Sequence, residues 1–271
     1  PVNFKTFSLD LNGLKSSLRQ APQRFSSDES LVLKFPNADG KMINYVVQEA
    51  SVMSPALQAK YADIRSYVGW DKENPNNTIR FSVSPYDGVN VMYFDGANVS
   101  YLDDYSEDLS TYIVYKREDL AKNPETFNCD FEEVNDPSEI DKVEPPLAIV
   151  KDGKMRTFRL ALACTVEYAA FHINRAGVAN GTLEQKKAAV MAAFQASMTR
   201  GNGIYEKSVS LTMVMVDNND QLIFIDSDSY SNNSGSAMLT QNQTVVDSVI
   251  GFNGYDIGHV FSTGGGGVAY L

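Results

Sequence analysis

The stretch "RTFRLALACTVEY" (Arg156–Tyr168) decides the fold of the second half of the chain. It is a near-continuous apolar run, and its composition is rich enough to form a central strand of a sheet. The segments that follow are predicted to alternate between helices and strands, an order typical of a mixed α/β sheet with helices packed on it.

A helix is predicted directly downstream, in "GTLEQKKAAVMAAFQASMTRGNG". Thr182 and Gln185 form a capping box at its start, and Gly201 and Gly203 are expected to end it. Its apolar stripe contains Val190, Met191, Phe194 and Met198.

A hairpin, a second helix and two strands complete the second half. "SVSLTMVMV" alternates Val209, Leu211, Met213 and Met215 on one face, and "DNNDQ" is expected to turn it back into "LIFID". "QNQTVVDSVIG" predicts the second helix, which ends at Gly251. The last strands are predicted at 256–262 and 266–271, separated by the glycine run Gly264–Gly267. No Lys-Ser/Thr follows that run and it opens no helix, so it is interpreted as a bend and not a phosphate loop.

The first half has a different, β-rich pattern. Asp10 as N-cap, followed by Leu11, Leu14 and Leu18, predicts a short helix. "SLVLKF" and "INYVV" flank a turn at Asp39-Gly40, and "SPALQAKYADI" predicts a second short helix. "TIRFSVS", "VNVMYF" and "NVSYLDD" then recur with Asp-Gly turns between them. The pattern favours an antiparallel meander covered by a helix or two.

Residues 117–146 separate the two halves. They are acidic, contain proline and show no periodicity, which is typical of a linker. We therefore expect a β-rich domain at 1–145, with the acidic linker at its end, and a second domain at 150–271.

Composition excludes several classes of function. The net charge of −11, with an isoelectric point near 4.7, disfavours nucleic acid and anionic lipid as partners. No apolar run reaches 18 residues, so no membrane span is expected. The chain begins at Pro1, from which we expect that a preceding segment was removed, and the Asn-, Ser- and Tyr-rich surface suggests an exported bacterial protein.

The polar residues that might carry chemistry have ordinary interpretations. His172 and His259 are the only histidines and lie far apart, so they are interpreted as polar or core residues and not as zinc ligands. The clusters at 217–220 and 226–229 lack the spacing of an EF-hand loop and are interpreted as solvated turns. Glu167, at the end of the apolar strand, is interpreted as structural, and Cys164 as a small buried hydrophobe.

Three blocks of the second half resemble the reprolysin-like zinc metallopeptidases of Bacteroidetes and related bacteria, within the metzincin group. They are "MRTFRLALACTVEYAAF", "NGIYEKSVSLTMVMV" and "YDIGHVFSTGGGGVAYL". The first half resembles the propeptide of such precursors through "FSLDLNGLKSSLRQAP", "SVMSPALQAKYADIRSYVG" and "NTIRFSVSPYDG". The resemblance implies a secreted zymogen with an α+β propeptide domain, followed by a truncated, metzincin-like α/β domain.

The resemblance also implies a zinc-dependent endopeptidase in the full-length protein, with protein or peptide substrates. The family's H-E-x-x-H-x-x-G-x-x-H helix is absent from this sequence. No catalytic or metal residue is therefore assigned, and the ligands are expected in a missing C-terminal part of the catalytic domain. The strand that pairs with substrate in the family matches Gly266, Gly267, Val268, Ala269 and Tyr270.

The resemblance further suggests how the enzyme is kept latent. Many metallopeptidase propeptides place a cysteine thiolate on the zinc, and Cys129 precedes the presumed mature start near residues 151–156. Cys129 is thus the latency candidate. We also expect residues 1–145 to pack against the last strand or its sheet.

Two non-enzymatic alternatives remain open from the sequence. The chain would act as a degenerate homologue or a propeptide-like binding or inhibitory module if no metal helix belongs to it. An adhesion or carbohydrate-binding β domain would use exposed aromatic residues of the first half, with Trp70, Tyr86 and Tyr93 as candidates.

Overall fold

Two sheets that share one long helix form the fold. The computed structural model describes residues 1–26, 31–121, 152–264 and 267–269. The first sheet has eight antiparallel strands and the second has three parallel strands. The sequence thus predicted the meander of the first half and the α/β character of the second.

The first sheet is a meander in which neighbours in sequence are neighbours in space, except that the first strand lies beside the last. The strand order is β1-β8-β7-β6-β5-β4-β3-β2. The strands are β1 (Lys5–Ser8), β2 (Leu31–Pro36), β3 (Met42–Glu49), β4 (Arg65–Asp71), β5 (Thr78–Ser84), β6 (Gly88–Asp95), β7 (Asn98–Asp104) and β8 (Thr111–Lys116). Gly40, Gly88 and Gly96 adopt positive φ in the predicted Asp-Gly turns.

The sheet is curled, and its central strands β4, β5 and β6 are buried on both faces. In β5 the side chains of Ile79, Phe81 and Val83 point into a core inside the curl, which helix α1 (Leu11–Leu18) covers. The alternate residue Arg80 points outward to the second half of the chain. The side-chain period of two therefore gives this sheet one internal core and one face for docking.

The second sheet is built on the predicted central strand, β9 (Arg156–Cys164). Two strands flank it in parallel, β10 (Leu211–Met215) and β11 (Ile257–Phe261). Three helices accompany this sheet, α3 (Val166–Arg175), α4 (Leu183–Val209) and α5 (Gly235–Val249). Leu160 and Leu162 pack with residues of α3 and α4, whereas Ala161 and Ala163 pack with residues of α5, so β9 is covered on both faces.

Helix α4 does not end at its glycines, contrary to the sequence prediction. It continues to Val209 and ends at Ser210, which adopts a left-handed φ of 54°. At Gly203 the helix crosses the first sheet, where a Cβ atom would lie 2.8 Å from Cγ of Arg80 and 3.1 Å from the Phe94 ring. This glycine permits close approach of helix and sheet, so its role is packing and not termination.

The predicted hairpin between 209 and 226 is also wrong. After β10 the chain makes a 3₁₀ turn at Asn219–Leu222, and Ile223 forms only a single parallel bridge, with Cys164. Asn219 is fully buried, accepting from the Leu162 N–H at 2.7 Å and donating to the Leu162 carbonyl at 3.0 Å. Residues 219 and 220 are therefore buried and structural, not a solvated turn, because the chain must cross the sheet to reach the parallel strand β11.

The two halves share one hydrophobic core. Helix α2 (Pro55–Lys60) and the residues around it belong to the same cluster as β9 and α4. Residues 52–54 extend the second sheet beyond β10, since the Met215 N–H donates to the Val52 carbonyl at 2.8 Å and the Ser54 N–H donates to the Met215 carbonyl at 2.9 Å. The first half thus docks on the parallel sheet at β10, and the prediction that it packs on the last strand, 266–271, stays a prediction.

Other predicted features lie wholly or partly outside the described residues. They include most of the predicted linker at 117–146 and Cys129 within it. The domain boundary at 145–150 accordingly stays a prediction. Of the predicted strand 266–271, residues 267–269 are described; they form no extended strand, and Gly267 makes a single bridge.

Candidate functional site

The carboxyl ends of β9 and β11 meet at one edge of the parallel sheet, a common place for binding sites in α/β folds. The segment 228–232 lies across this edge. The Val166 N–H donates to a carboxylate oxygen of Asp228 at 2.5 Å, and the Thr165 hydroxyl donates to Oδ1 of Asn232 at 2.8 Å. Asp228 therefore binds the N-terminus of α3 and is not part of a solvated turn.

The glycine run begins at this edge and bends sharply there. The Thr263 N–H donates to Oδ1 of Asn232 at 3.1 Å, and Nδ2 of Asn232 donates to the Thr263 hydroxyl at 2.8 Å. A Cβ atom on Gly264 would lie 2.6 Å from the Asn232 carbonyl oxygen. Only glycine fits at this position, which supports the interpretation of the run as a bend between two segments.

One of the predicted substrate-binding residues, Val268, lies beside the first turn of α5. A Cβ atom on Gly235 would meet Cγ2 of Val268 at 2.6 Å. Gly266 and Tyr270 lie outside the described residues. The substrate-pairing role of the five residues stays a prediction.

Strand β11 is the outer strand of the parallel sheet in the described part of the chain. It pairs with β9 through one edge, so its other edge presents backbone N–H and C=O groups. An extended peptide adds to such an edge by main-chain hydrogen bonds. The edge of β11 and the glycine bend that follows it form the candidate site.

Both histidines flank an aromatic cluster next to this site. The ring of His172 contacts that of Tyr168 with 4.5 Å between centroids and a tilt of 50°, and the ring of His259 contacts that of Phe261 with 5.1 Å between centroids. Tyr168 and Phe261, 5.4 Å apart, connect the two histidines. Burial and the nearby Arg175 charge lower the pKa of His172 to about 4, so this imidazole is neutral near pH 7.

Metal ligands are not gathered at this site or elsewhere in the described residues. Across 1–26, 31–121, 152–264 and 267–269, no three His, Cys, Asp or Glu side chains could hold a metal ion. Cys164 is fully buried, and burial raises the pKa of its thiol to about 12, as expected for a small buried hydrophobe. Glu167 lies exposed in the first turn of α3 and does not end the strand as predicted.

Sequence reasoning missed a charged network between the two halves. Arg175 of α3 lies 2.5 Å from a carboxylate oxygen of Asp104 and 3.5 Å from one of Asp87. Arg200 of α4 contacts Asp103. Burial raises the pKa of Asp87 to about 6, the nearby Asp104 carboxylate adds to this, and Arg175 only partly offsets the effect. Aspartates are common in the turns and strand ends of a predicted meander. The sequence therefore gives no signal that these ones form ion pairs with Arg175 and Arg200.

The raised pKa of Asp87 predicts a pH-dependent stability. A carboxyl group whose pKa is higher in the folded than in the unfolded state destabilises the fold increasingly as pH rises from its unfolded pKa to its folded pKa. This penalty is absent below about pH 4 and complete above about pH 6, where a shift of this size corresponds to about 3 kcal/mol. In Asp87→Asn we expect that part of the pH dependence to disappear from urea unfolding curves at pH 4 to 7.5. Equal pH dependence in both proteins would contradict the assignment.

Comparison with known proteins finds one family match in the second half of the chain. Among the described residues, no helix combines the length and the apolar character needed to cross a bilayer. No curated protein matches the chain. Residues 191–271, which run from α4 through β10, α5 and β11 to the glycine bend, match the family model described as "Metallo-peptidase family M12B Reprolysin-like". The second half of the chain thus carries a reprolysin-like metallopeptidase match that contains the candidate site.

Proposed function

We propose that this chain is part of the precursor of a secreted zinc-dependent endopeptidase. Residues 1–145 are the propeptide in this proposal, and residues 150–271 are the amino-terminal part of the catalytic domain. The M12B match at 191–271 is the observation that carries it. The docking of the first half into the core of the second is the arrangement expected when a propeptide and an enzyme fold together.

The site would bind protein or peptide substrates through backbone hydrogen bonds. The free edge of β11 and the segment 266–270 supply N–H and C=O groups, which recognise an extended chain with little regard to its side chains. Glycines at the start of this segment allow a substrate backbone to approach closely. This chain's own contribution to catalysis is then to hold and align the substrate.

Zinc would be bound by residues outside these 271. The M12B family is zinc-dependent, and the described residues of this chain contain no cluster of ligands for it. When bound, the metal activates a water molecule for attack on the peptide carbonyl. By itself the 271-residue chain is expected to be inactive.

Latency would depend on the segment between the two halves. Hydrogen bonds and ion pairs from residues 1–121 reach α3, α4, β10 and the turn after β10, whereas those of β11 run to β9. In the described residues, no hydrogen bond or ion pair of the first half reaches β11 itself. Cys129, in the connecting segment, remains the candidate for blocking the zinc.

The experiment uses a precursor extended to include the gene's downstream sequence. We expect about one zinc per chain, low proteolysis of a fluorescent casein substrate, and higher proteolysis in Cys129→Ala, with Cys164→Ala as the cysteine control. Unchanged latency in Cys129→Ala would remove Cys129 from the mechanism. An extended protein that binds no zinc and cleaves no substrate would overturn the peptidase proposal and favour a non-enzymatic binding or inhibitory module.

A further inference from the structure

A cavity of about 580 Å³ lies at one open end of the curled first sheet, far along the chain from the peptidase match. It is formed by the β2–β3 turn, the end of β4, the β6–β7 turn and the residues that follow β8. Small-molecule sites are often clefts of roughly 300–1,000 Å³ in such positions, including the mouths of curled sheets and barrels. The size therefore suits a small ligand or one side chain of a larger partner.

The rim of the cavity carries an excess of negative charge. Four carboxylates and two cationic side chains line it: Asp39, Asp71, Asp95, Glu118, Lys116 and Arg117. The Lys116 ammonium lies 3.9 Å from the Asp39 carboxylate and 4.0 Å from that of Glu118, so its charge offsets theirs. Among the ion pairs of the described residues none includes Asp71 or Asp95, and these two define the acidic side.

A buried tyrosine with an unpartnered hydroxyl group is among the residues that line the cavity. Tyr93 is only 3% exposed, and its hydroxyl oxygen has no hydrogen-bond partner in the described part of the chain. A buried polar group without a hydrogen-bond partner is unfavourable, so a ligand that supplies the missing bond would be favoured. Burial raises the pKa of the neighbouring Tyr45 to about 12, and the carboxylates of Asp71 and Asp95 contribute to this shift. Their contribution agrees with a negative electrostatic potential at this end of the cavity.

We propose that this cavity binds an organic cation, through an ammonium or guanidinium group that donates to Asp71, Asp95 and the Tyr93 hydroxyl oxygen. Such a group brings several N–H donors and a positive charge, which matches two carboxylates and an acceptor hydroxyl. A bare metal ion fits less well, because no three potential ligand side chains in the described residues stand close enough to hold one. The chemistry is shared by free polyamines and by lysine or arginine side chains of a protein segment.

The test is calorimetric titration of the 271-residue chain with two probes. Spermidine represents a free polyamine, and acetyl-Gly-Lys-Gly-amide represents a side chain on a peptide. We expect at least one probe to bind, with affinity that falls about tenfold in Asp95→Asn and in Tyr93→Phe. Asp63→Asn is the matched control, because this exposed carboxylate lies before the start of β4 and Asp71 lies at its end.

Tyr93→Phe also distinguishes a lost ligand contact from a damaged fold. Removal of a buried hydroxyl without a partner should leave the thermal midpoint of the free protein unchanged or raise it, while probe binding weakens. Tighter binding of spermidine than of the peptide would identify a polyamine site, and the reverse order would identify a side-chain pocket; either supports the proposal. No binding of either probe, or an equal loss in Asp63→Asn, would overturn it, whatever the outcome for the peptidase.

Discussion

Glu206→Ala is expected to lower the free energy of unfolding by about 3–5 kcal/mol. The Glu206 side chain is 9% exposed and contacts the guanidinium groups of both Arg80 and Arg24, the latter at 2.9 Å. Arg80 is itself only 9% exposed in its side chain. Burial, with a smaller contribution from Arg24, lowers the pKa of Arg80 to about 9, so this cation already lies in an unfavourable place. Without the carboxylate, two positive charges would face each other at the docking surface.

Urea unfolding at pH 7 measures this effect, and two further variants identify its cause. Glu107→Ala removes an exposed carboxylate from the loop after β7 and should change stability by less than about 0.5 kcal/mol. The double variant Arg80→Met with Glu206→Leu removes both buried charges and should recover much of the loss, because apolar replacements of a buried pair are often tolerated. A loss below 1 kcal/mol in Glu206→Ala would show that the pair lies in a wetter environment than described.

Leu57→Ala is expected to cost about 2–5 kcal/mol and to destabilise both halves together. Leu57 lies in α2 of the first half, is 1% exposed, and belongs to the core that includes β9 and α4 of the second half. The cavity left by alanine would thus open in the shared core and not within one domain. If Leu57 belonged to a core confined to the first half, Leu57→Ala would lower the stability of the first half by the same amount. The stability of the second half would then not change.

Two probes separate these cases. Trp70, the only tryptophan, reports unfolding of the first sheet, and thiol labelling of the fully buried Cys164 reports opening of the second, in a Cys129→Ser background. Both transitions should shift to lower urea by the same amount. Val32→Ala, at a position 40% exposed on β2, is the control and should shift neither by much. A shift of the Trp70 transition alone would contradict the shared core.

Local chemistry made much of the fold predictable from the sequence. The apolar run at 156–168 gave the central strand, Asp10 capped the first helix through the Gly13 N–H at 2.9 Å, and Thr182 with Gln185 formed the predicted capping box. Each of these signals depends only on residues a few positions apart. A short stretch of sequence is therefore enough to predict the element.

Contacts between distant segments were not predictable in the same way. Gly203 is predicted to end its helix because glycine is common at helix ends. Its role in the structure is to let the helix pack closely on Arg80 and Phe94, which lie more than 100 residues away in the sequence. The sequence at 216–225 predicts a hairpin, because it places a polar turn between two apolar runs. The same pattern is typical of a crossover to a parallel strand. Only the parallel pairing of β9 with β10 and β11 decides between them.

The candidate site shows the same division. The bend at Gly264 was predicted from composition, whereas its partner Asn232 was not, because nothing in the sequence links residues 232 and 264. The assignment of 266–270 to substrate pairing came from family resemblance, since backbone recognition leaves little chemical signature in side chains. The acid-rich positions Asp87, Asp103 and Asp104 gave no sign that two arginines of the second half would meet them.

The central claim is that the two halves form one cooperative unit with a common core. The most direct measurement is to replace residues 135–141 by a specific protease site, cleave there, and analyse the product by size-exclusion chromatography with light scattering at about 1 µM. We expect the two fragments to elute together with the mass of the intact chain and to separate only in denaturant. Separation of two folded fragments under native conditions would contradict it.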